Sequence, residues 1–359
     1  MNYKIKEIDA LRGLAVIMVA CQHTGSYWFL RDYPILMNNC WQAVNLFFVL
    51  SGFSLAIPYL TDNKSLLSSK DILEFYQRRA KRLLPLMIFS SMIGVYFRSH
   101  FEHEAFTDFI YAITTYNTFT KKYFFPHVND VMWSLSVEIW FSILFVIILY
   151  FFKKKPYLTF FIILIISLSV RLYSFTLPIE YRVLNYIKDS FPARIDDFVL
   201  GIMLCYLIIK TKIHEKINQK MIIIIVLCIV IYFLSKFNFN FWYNNRILQK
   251  NNTYLLSFMN NLTHISIIAL VIIYFIAPKI LKLFLLNYPL RMLGRMSFSF
   301  YLWHSFIVDL FADKIGDISN RGPMLLAKFW LLSLAISIMS YRYIEFGHVN
   351  SWKKVFSYD

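Results

Sequence analysis

Long apolar blocks alternate with short basic stretches along nearly the whole chain. Two clear examples are residues 221–234 and 255–277, which are followed by Lys236 and Lys279 respectively. A helix needs about 20 apolar residues to cross the roughly 30 Å hydrocarbon core of a bilayer. The pattern therefore predicts an all-α, polytopic membrane bundle of about ten transmembrane helices. The predicted spans are residues 8–30, 41–60, 83–98, 131–152, 157–175, 191–209, 221–239, 255–277, 296–312 and 323–345.

Short loops and one amphipathic segment join these blocks. Residues 106–120 mix polar and apolar positions in the manner of a re-entrant or surface helix. The sequence shows no soluble domain, long linker or internal repeat. We therefore expect one transmembrane domain over residues 1–359, without an appended soluble domain.

The basic residues indicate the orientation of the bundle. With a cytoplasmic N-terminus, the inside loops hold the basic groups of residues 64–82, 153–155, 210–220 and 279–295. These loops then carry about twice as many Lys and Arg residues as the outside loops, as the positive-inside rule requires. An even number of spans places both termini in the cytoplasm.

Composition supports a membrane protein and limits its partners. Hydrophobic residues make up 58% of the chain and charged residues only 16%, against about 25% charged residues in soluble domains. The net charge of +16 lies in short loops rather than on a basic face with interleaved aromatics, so we expect no nucleic-acid partner. The 24 Tyr and 8 Trp suit an interfacial aromatic belt. The four cysteines show no metal-ligand spacing, and we expect no metal.

The first predicted helix carries two residues that do not suit lipid. A charge inside a membrane helix costs about 2.5–3.5 kcal/mol and usually faces a cavity or the protein interior. Arg12 and His23 are eleven residues apart, almost three full turns, so both project from one face. The rise between them is about 16 Å. Taken alone, Arg12 is also compatible with a snorkelling residue and His23 with a packing residue.

The next two helices add a serine and two arginines. Ser51 and Gly52 permit a close, hydrogen-bonded helix contact, which alone is typical of packing. Arg79 and Arg82 stand three residues apart directly before the third span. On a helix they share a face and can bind one anionic group together. A topogenic basic cluster or a site for anionic lipid would have the same pattern.

The later helices contain further polar residues. Glu138 lies within or near the fourth span, where a structural ion pair is the alternative to a catalytic role. Residues 194–197 open the sixth helix with one Arg and two Asp, which indicates a structural charge network. Tyr301 and His304 lie in the ninth span, and residues 341–345 end the tenth in the manner of a helix-end anchor.

Taken together and in this order, these stretches resemble the membrane acyltransferase family 3, which includes bacterial O-antigen and peptidoglycan O-acetyltransferases. The similarity extends from about Ile5 to Glu345; each of its six motifs is weak alone, and their common order is specific. The motifs are the Arg12-x10-His23 pair after residues 8–11, Phe47-Phe48-x-x-Ser51-Gly52, Arg79-x-x-Arg82 before residues 83–85, and residues 133–138, 299–304 and 341–345.

The chain departs from the family pattern at three places. Ala10 replaces a glycine of the usual start, and Asn45 stands where an acidic residue is common. Ile139 and Trp140 stand where another acid and an aromatic residue usually follow the glutamate. None of these positions carries the expected chemistry, and they indicate a divergent acceptor.

The resemblance implies an O-acetyltransferase of the bacterial inner membrane. Such an enzyme moves an acyl group, most often acetyl, from cytoplasmic acyl-coenzyme A to a hydroxyl group. The acceptor is a surface polysaccharide, such as the O-antigen of lipopolysaccharide, or its lipid-linked precursor. Acetyl-coenzyme A is then a co-substrate, and the partners are the bilayer and a glycan.

The same resemblance suggests roles for individual residues. His23 is expected to act as general base, with Glu138 as its carboxylate partner. Arg12, Arg79 and Arg82 are expected to bind the phosphates of coenzyme A. The residues expected to position the substrate are Ser51, Tyr301 and His304.

Two other functions use similar residues. A transporter or flippase for an acylated glycan or a small acid also needs buried His, Arg and Glu. The sequence shows no inverted repeat and no paired broken helices, which are typical of such transporters. A bundle that only scaffolds polysaccharide machinery is a third function. The six motifs in order favour the enzyme.

Overall fold

The structure is a computed structural model that describes residues 5–24, 39–61, 68–98, 103–174, 176, 186–216, 221–247, 257–312, 323–345 and 352. In these ranges the chain is predominantly helical and contains no strand. In chain order the helices are α1 (Lys6–Thr24), α2 (Ala43–Thr61), α3 (Ser69–Phe97), α4 (His103–Ile113), α5 (Met132–Lys154), α6 (Pro156–Ser174), α7 (Phe191–Cys205), α8 (Ile213–Lys216), α9 (Met221–Ile247), α10 (Met259–Ile276), α11 (Lys279–Leu285), α12 (Tyr288–Arg295), α13 (Ser297–Ala312) and α14 (Pro323–Ser340). Two π-helical turns, Tyr206–Lys210 and Tyr341–Glu345, extend α7 and α14.

Every predicted span corresponds to a helix in the described ranges. Seven helices there are long and apolar enough to cross a membrane, namely α2, α3, α5, α6, α9, α10 and α14. The other three, α1, α7 and α13, are shorter or carry more charged residues. These three also bring polar and titratable groups inside the bundle, which explains their lower apolar character. The all-α membrane bundle is confirmed, while the number of ten spans and the cytoplasmic termini stay predictions.

Helix α3 begins at Ser69, well before the predicted start at residue 83. The Ser68 side chain caps it by accepting a hydrogen bond from the backbone N–H of Asp71 at 3.1 Å. Pro85 lies inside the same continuous helix. The apolar pattern marks only the hydrophobic part of this helix, so the prediction placed Arg79 and Arg82 before it. Both lie within α3.

Helices α2 and α7 form the centre of the bundle and pack closely against each other. Gly52 and Gly201 make this approach possible. A Cβ atom on Gly52 would lie 2.0 Å from the carbonyl oxygen of Phe198, and one on Gly201 would lie 1.9 Å from that of Val49. The close helix contact predicted at Gly52 is confirmed, and no larger residue fits there without moving a backbone.

The outer helices have the opposite character. In the 18-residue apolar stretches of α6 and α9, only 17% and 11% of the residues are buried. The exposed side chains of both helices are mostly large and apolar. Such surfaces suit contact with lipid. Helices α1, α2, α3, α5 and α13 lie further inside and bring polar side chains toward one another.

The amphipathic segment at residues 106–120 forms α4 and a short 3₁₀ turn at Tyr116–Phe119. Phe106 is exposed, whereas Asp108 is buried and accepts a hydrogen bond from the backbone N–H of Val128 at 2.8 Å. Burial raises the pKa of Asp108 despite this hydrogen bond. The predicted amphipathic helix is confirmed, and it is tied to the loop that precedes α5.

Candidate active site

A cavity of about 150 Å³ lies between α1, α2, α3, α5 and α13. Its charged lining residues are Arg12, Arg79, Arg82 and Glu138, so the guanidinium groups outnumber the carboxylates. Apolar side chains such as Phe47 complete the wall. The cavity therefore suits an anionic group attached to a slender, partly apolar molecule.

Glu138 is the anionic centre of this cavity. Its Oε1 accepts hydrogen bonds from Arg79 Nη2 and Ser51 Oγ, each at 2.8 Å. Arg79 Nε also donates to Ser142 Oγ at 3.2 Å. The side chains of Arg79 and Glu138 are 11% and 24% exposed, so they form a largely buried ion pair. Because its charge is balanced by Glu138, Arg79 is the least available of the three arginines for a ligand.

Arg12 and Arg82 are less completely engaged. Arg12 Nη2 donates to Ser54 Oγ at 2.9 Å, and its Nη1 lies 3.8 Å from Asp9 Oδ1. Arg82 Nε lies 3.9 Å from the Oε1 atom of Glu345, which is beyond hydrogen-bonding distance. At 39% exposed, the Arg82 side chain is the most open of the three. Arg82 and Arg12 therefore keep donors for an anionic ligand.

Glu345 forms the back of the Arg82 site. Its side chain is fully buried, and its Oε2 accepts a hydrogen bond from Ser299 Oγ at 2.8 Å. It ends the π-helical turn Tyr341–Glu345, a local widening of the helix that is frequent at functional sites. The expected helix-end anchor is therefore not the role of Glu345, because its carboxylate faces the bundle interior.

Tyr301 connects the cavity to a second polar cluster. Its hydroxyl lies 2.7 Å from Ser134 Oγ, and its ring packs edge-on against Phe47. Its backbone carbonyl oxygen lies 2.7 Å from His304 Nδ1. Tyr301 thus contacts the cavity through its side chain and the second polar cluster through its backbone.

The second cluster contains both predicted histidines. The rings of His23 and His304 meet edge to face, with their centroids 4.9 Å apart. A carbonyl oxygen only accepts hydrogen bonds, so His304 carries its proton on Nδ1 when the ring is neutral. His304 is fully buried, and its Nε2 has no hydrogen-bond partner among the described residues.

Arg98 holds two acidic residues beside these histidines. Its guanidinium pairs with Asp130 at 3.1 Å and with Asp309, and it lies over the ring of Phe306. Both carboxylates interact electrostatically with His23. Partial burial opposes the ionisation of Asp130, but the Arg98 guanidinium outweighs it and lowers the pKa of this carboxyl. The histidines therefore lie in a region with two carboxyl groups and one arginine.

The eight residues expected at the site are divided between these two regions. His23 and Glu138 share no hydrogen bond in the described part of the chain, because the Glu138 carboxylate is occupied by Arg79 and Ser51. The expected His23–Glu138 pair is therefore not formed in this structure. The rise of about 16 Å along α1 between Arg12 and His23 separates the cavity from the second cluster along the helix axis. The cavity residues are Arg12, Ser51, Arg79, Arg82, Glu138 and Tyr301; the second cluster has His23 and His304.

The sequence reasoning missed Arg98, Asp130 and Asp309. All three lie near helix ends, where charged residues are ordinary and carry no special signal. Their positions relative to the motifs offered a hint, since Asp130 stands three residues before Trp133 and Asp309 five residues after His304.

A third buried cluster joins α6, α7 and α10. Arg171 binds Asp196 through both Nη atoms, at 3.0 and 2.7 Å. Asp197 lies 3.3 Å from Arg194 Nε and 2.6 Å from His264 Nε2. Asp196, Asp197 and His264 are close enough together to hold a cation, but arginines already balance both carboxylates. The geometry is that of the charge network predicted at residues 194–197.

The chain matches a known protein family over nearly its whole length. The profile of a family described as "Acyltransferase domain" matches residues 5–342. The chain is 25% identical to O-acetyltransferase OatA of Staphylococcus aureus (strain NCTC 8325 / PS 47), with 94% of this chain and 56% of OatA covered. It is also 25% identical to a Bacillus subtilis (strain 168) protein with the provisional name peptidoglycan O-acetyltransferase YrhL, with 95% of this chain and 54% of that protein covered.

These relatives are much longer than the matched region. The chain spans about half the length of the curated relatives it matches. No solved structure matches the chain.

Proposed function

Since this chain belongs to the acyltransferase family, we propose that it is an enzyme that transfers acetyl from acetyl-coenzyme A to a glycan hydroxyl. The observation that carries this proposal is the cavity lined by three guanidinium groups and one carboxylate, next to the half-buried His23 and the buried His304. The arginines can bind the phosphates of an acyl donor, and a histidine can accept the proton of an acceptor hydroxyl.

The donor is proposed to bind at the arginine end. Arg82 is the most exposed of the three arginines and lacks a close hydrogen bond to Glu345, so it can turn to a phosphate of coenzyme A. Arg12 supplies a second guanidinium from α1. Arg79 contributes mainly by holding Glu138 and Ser51 in place, because its own charge is balanced.

Catalysis is proposed to occur at His23. A neutral imidazole takes the proton of the acceptor hydroxyl while the hydroxyl oxygen attacks the thioester carbon. The C–S bond then breaks, and the leaving thiolate of coenzyme A receives the proton back from the imidazolium. Asp130 and Asp309 favour the positive charge that forms on His23.

The acceptor is proposed to be a cell-wall or surface polysaccharide, or its lipid-linked precursor. One relative, from Bacillus subtilis, is named as a peptidoglycan O-acetyltransferase, which favours peptidoglycan over O-antigen. The two levels of polar residues along α1 also suit a donor that binds at the Arg12 end and an acceptor that binds at the His23 end. With a cytoplasmic N-terminus in a bacterial membrane, the His23 end faces outward.

Mass spectrometry of the cell-wall polysaccharides tests this proposal. Polysaccharide from a strain that lacks the protein should lose base-labile acetyl groups, and the wild-type gene should restore them. Restoration by a gene that encodes His23→Ala, or unchanged acetylation in the deletion strain, would contradict the proposal. A deletion strain that accumulates acetylated glycan inside the cell would point to transport instead.

A further inference from the structure

His304 has one ring nitrogen whose hydrogen bonding is satisfied and one whose hydrogen bonding is not. Nδ1 donates to the carbonyl oxygen of Tyr301 at 2.7 Å, which leaves Nε2 as an acceptor. Among the described residues this Nε2 atom has no hydrogen-bond partner, although the side chain is fully buried. A buried acceptor without a donor costs about 1–3 kcal/mol, so a fold that keeps one is expected to use it.

His23 lies where it can supply the missing donor. Two imidazole rings joined by an N–H···N hydrogen bond have centroids roughly 5 Å apart, from a bond of about 3 Å and a centre-to-nitrogen distance of about 1.1 Å in each ring. The observed separation of the His23 and His304 centroids is 4.9 Å. The rings meet edge to face at an interplanar angle of 66°, and this separation matches that of an N–H···N pair.

We infer that His304 is a positioning residue that accepts a hydrogen bond from His23 through Nε2. This inference rests on the proposed function, in which His23 is the general base. The contact fixes the tautomer of His23, so that its other nitrogen keeps a lone pair for the acceptor hydroxyl. It also stabilises the imidazolium that forms when the hydroxyl proton is transferred, as the carboxylate does in a Ser-His-Asp triad.

The surroundings of the pair agree with this role. Glu138, the carboxylate expected to assist His23, is bound to Arg79 and Ser51 instead. The charged groups around the pair are Asp130 before α5, Asp309 on α13 and Arg98 at the end of α3. Arg98 pairs with both carboxylates, so neither is free to bind His23 with its full charge. The buried His304 acceptor is left as the group that orients the His23 ring.

Two substitutions of His304 separate the roles of its nitrogens. In His304→Asn, the amide nitrogen can replace Nδ1 and keep the bond to Tyr301, but the acceptor is lost. In His304→Gln, the longer amide can place an oxygen near the position of Nε2. His127→Asn is the matched control, because His127 is an exposed histidine on the loop before α5.

The assay is the pH profile of kcat, with acetyl-coenzyme A and solubilised peptidoglycan fragments as substrates and with purified protein in nanodiscs. His304→Asn is expected to lower kcat at least about tenfold, less than the roughly 10²–10⁴-fold effect of losing a general base. Its acid limb should move to lower pH, because the His23 imidazolium has lost an acceptor. KM for the donor should not change, and His304→Gln should stay closer to wild type.

An acid limb of His304→Asn that stays at the wild-type pH would overturn the inference, whatever the loss of kcat. If the variants fail to fold, ¹⁵N NMR of histidine-labelled wild-type protein decides. A proton on Nδ1 of neutral His304 supports the inference, and a proton on Nε2 overturns it. If the wild-type protein transfers no acetyl group, the proposed function is overturned instead. The NMR result does not depend on that activity.

Discussion

Replacing Arg82 by alanine should weaken donor binding more than replacing Arg79, although the two residues share a motif and a helix face. Arg79 is bound to Glu138 at 2.8 Å, and its side chain is 11% exposed. Arg82 lies 3.9 Å from Glu345 and is 39% exposed. The structure therefore assigns the free guanidinium donors to Arg82 and a structural ion pair to Arg79.

The expected magnitudes follow from these contacts. A hydrogen bond to a charged group contributes about 1.5–3 kcal/mol, and solvent around the half-exposed Arg82 favours the lower end. Because about 1.4 kcal/mol corresponds to a tenfold change, Arg82→Ala should raise Kd roughly tenfold. Arg79→Ala leaves Glu138 buried without its partner, which costs about 3–5 kcal/mol of folding stability. Its main effect should be a lower Tm.

The assay combines calorimetric titration of desulfo-coenzyme A with thermal unfolding of the same nanodisc samples. Lys81→Ala serves as the control, because Lys81 is an exposed basic residue on the same helix. It should leave both Kd and Tm close to wild type. An unchanged Kd in Arg82→Ala, together with a raised Kd and a normal Tm in Arg79→Ala, would refute the reasoning.

Four further changes test other parts of the structure. His23→Ala should abolish acetyl transfer while the protein inserts and binds donor normally; near-wild-type transfer would exclude His23 as the base. Gly52→Leu should lower stability by about 3 kcal/mol or more, the upper end of ordinary overpacking, since even a Cβ atom at this position meets the Phe198 backbone. An unchanged Tm would contradict this. Arg171→Ala should cost about 3–5 kcal/mol by leaving Asp196 unpaired, and Arg171→Ala with Asp196→Ala should recover part of it. Asp108→Asn should raise stability at neutral pH. Burial raises the folded-state pKa of Asp108, so wild-type stability falls as pH rises from the unfolded-state pKa to the folded-state pKa, and the gain from the substitution should vanish in acid. A gain in stability that is independent of pH would contradict this.

The fold was largely predictable because apolar periodicity is a local property of the chain. Ten apolar blocks predicted ten helices, and each is found in the described ranges. The start of α3 was misplaced because its first turns are polar, and Ser68 with its cap extends the helix beyond the apolar block. Helix ends that depend on caps and polar turns carry a weaker signal than apolar runs.

The composition of the site was predictable from motifs, but its pairings were not. Glu138 and Arg79 are 59 residues apart, and their pairing depends on how α3 and α5 pack. The same holds for His23 with His304, whose contact requires α1 to lie against α13. Sequence spacing sets which residues share a helix face. Tertiary packing determines which carboxylate meets which arginine, and it separated Glu138 from His23.

Acyl transfer itself can be measured with purified components. Wild-type and His23→Ala proteins, each in nanodiscs, would receive acetyl-coenzyme A labelled in the acetyl group, together with peptidoglycan fragments or a lipid-linked glycan. With wild-type protein, label should move to the glycan in a base-labile ester and free coenzyme A should appear in equal amount; with His23→Ala, neither should occur. Absence of coenzyme A release by the wild-type protein with every acceptor, or equal transfer by both proteins, would contradict the account.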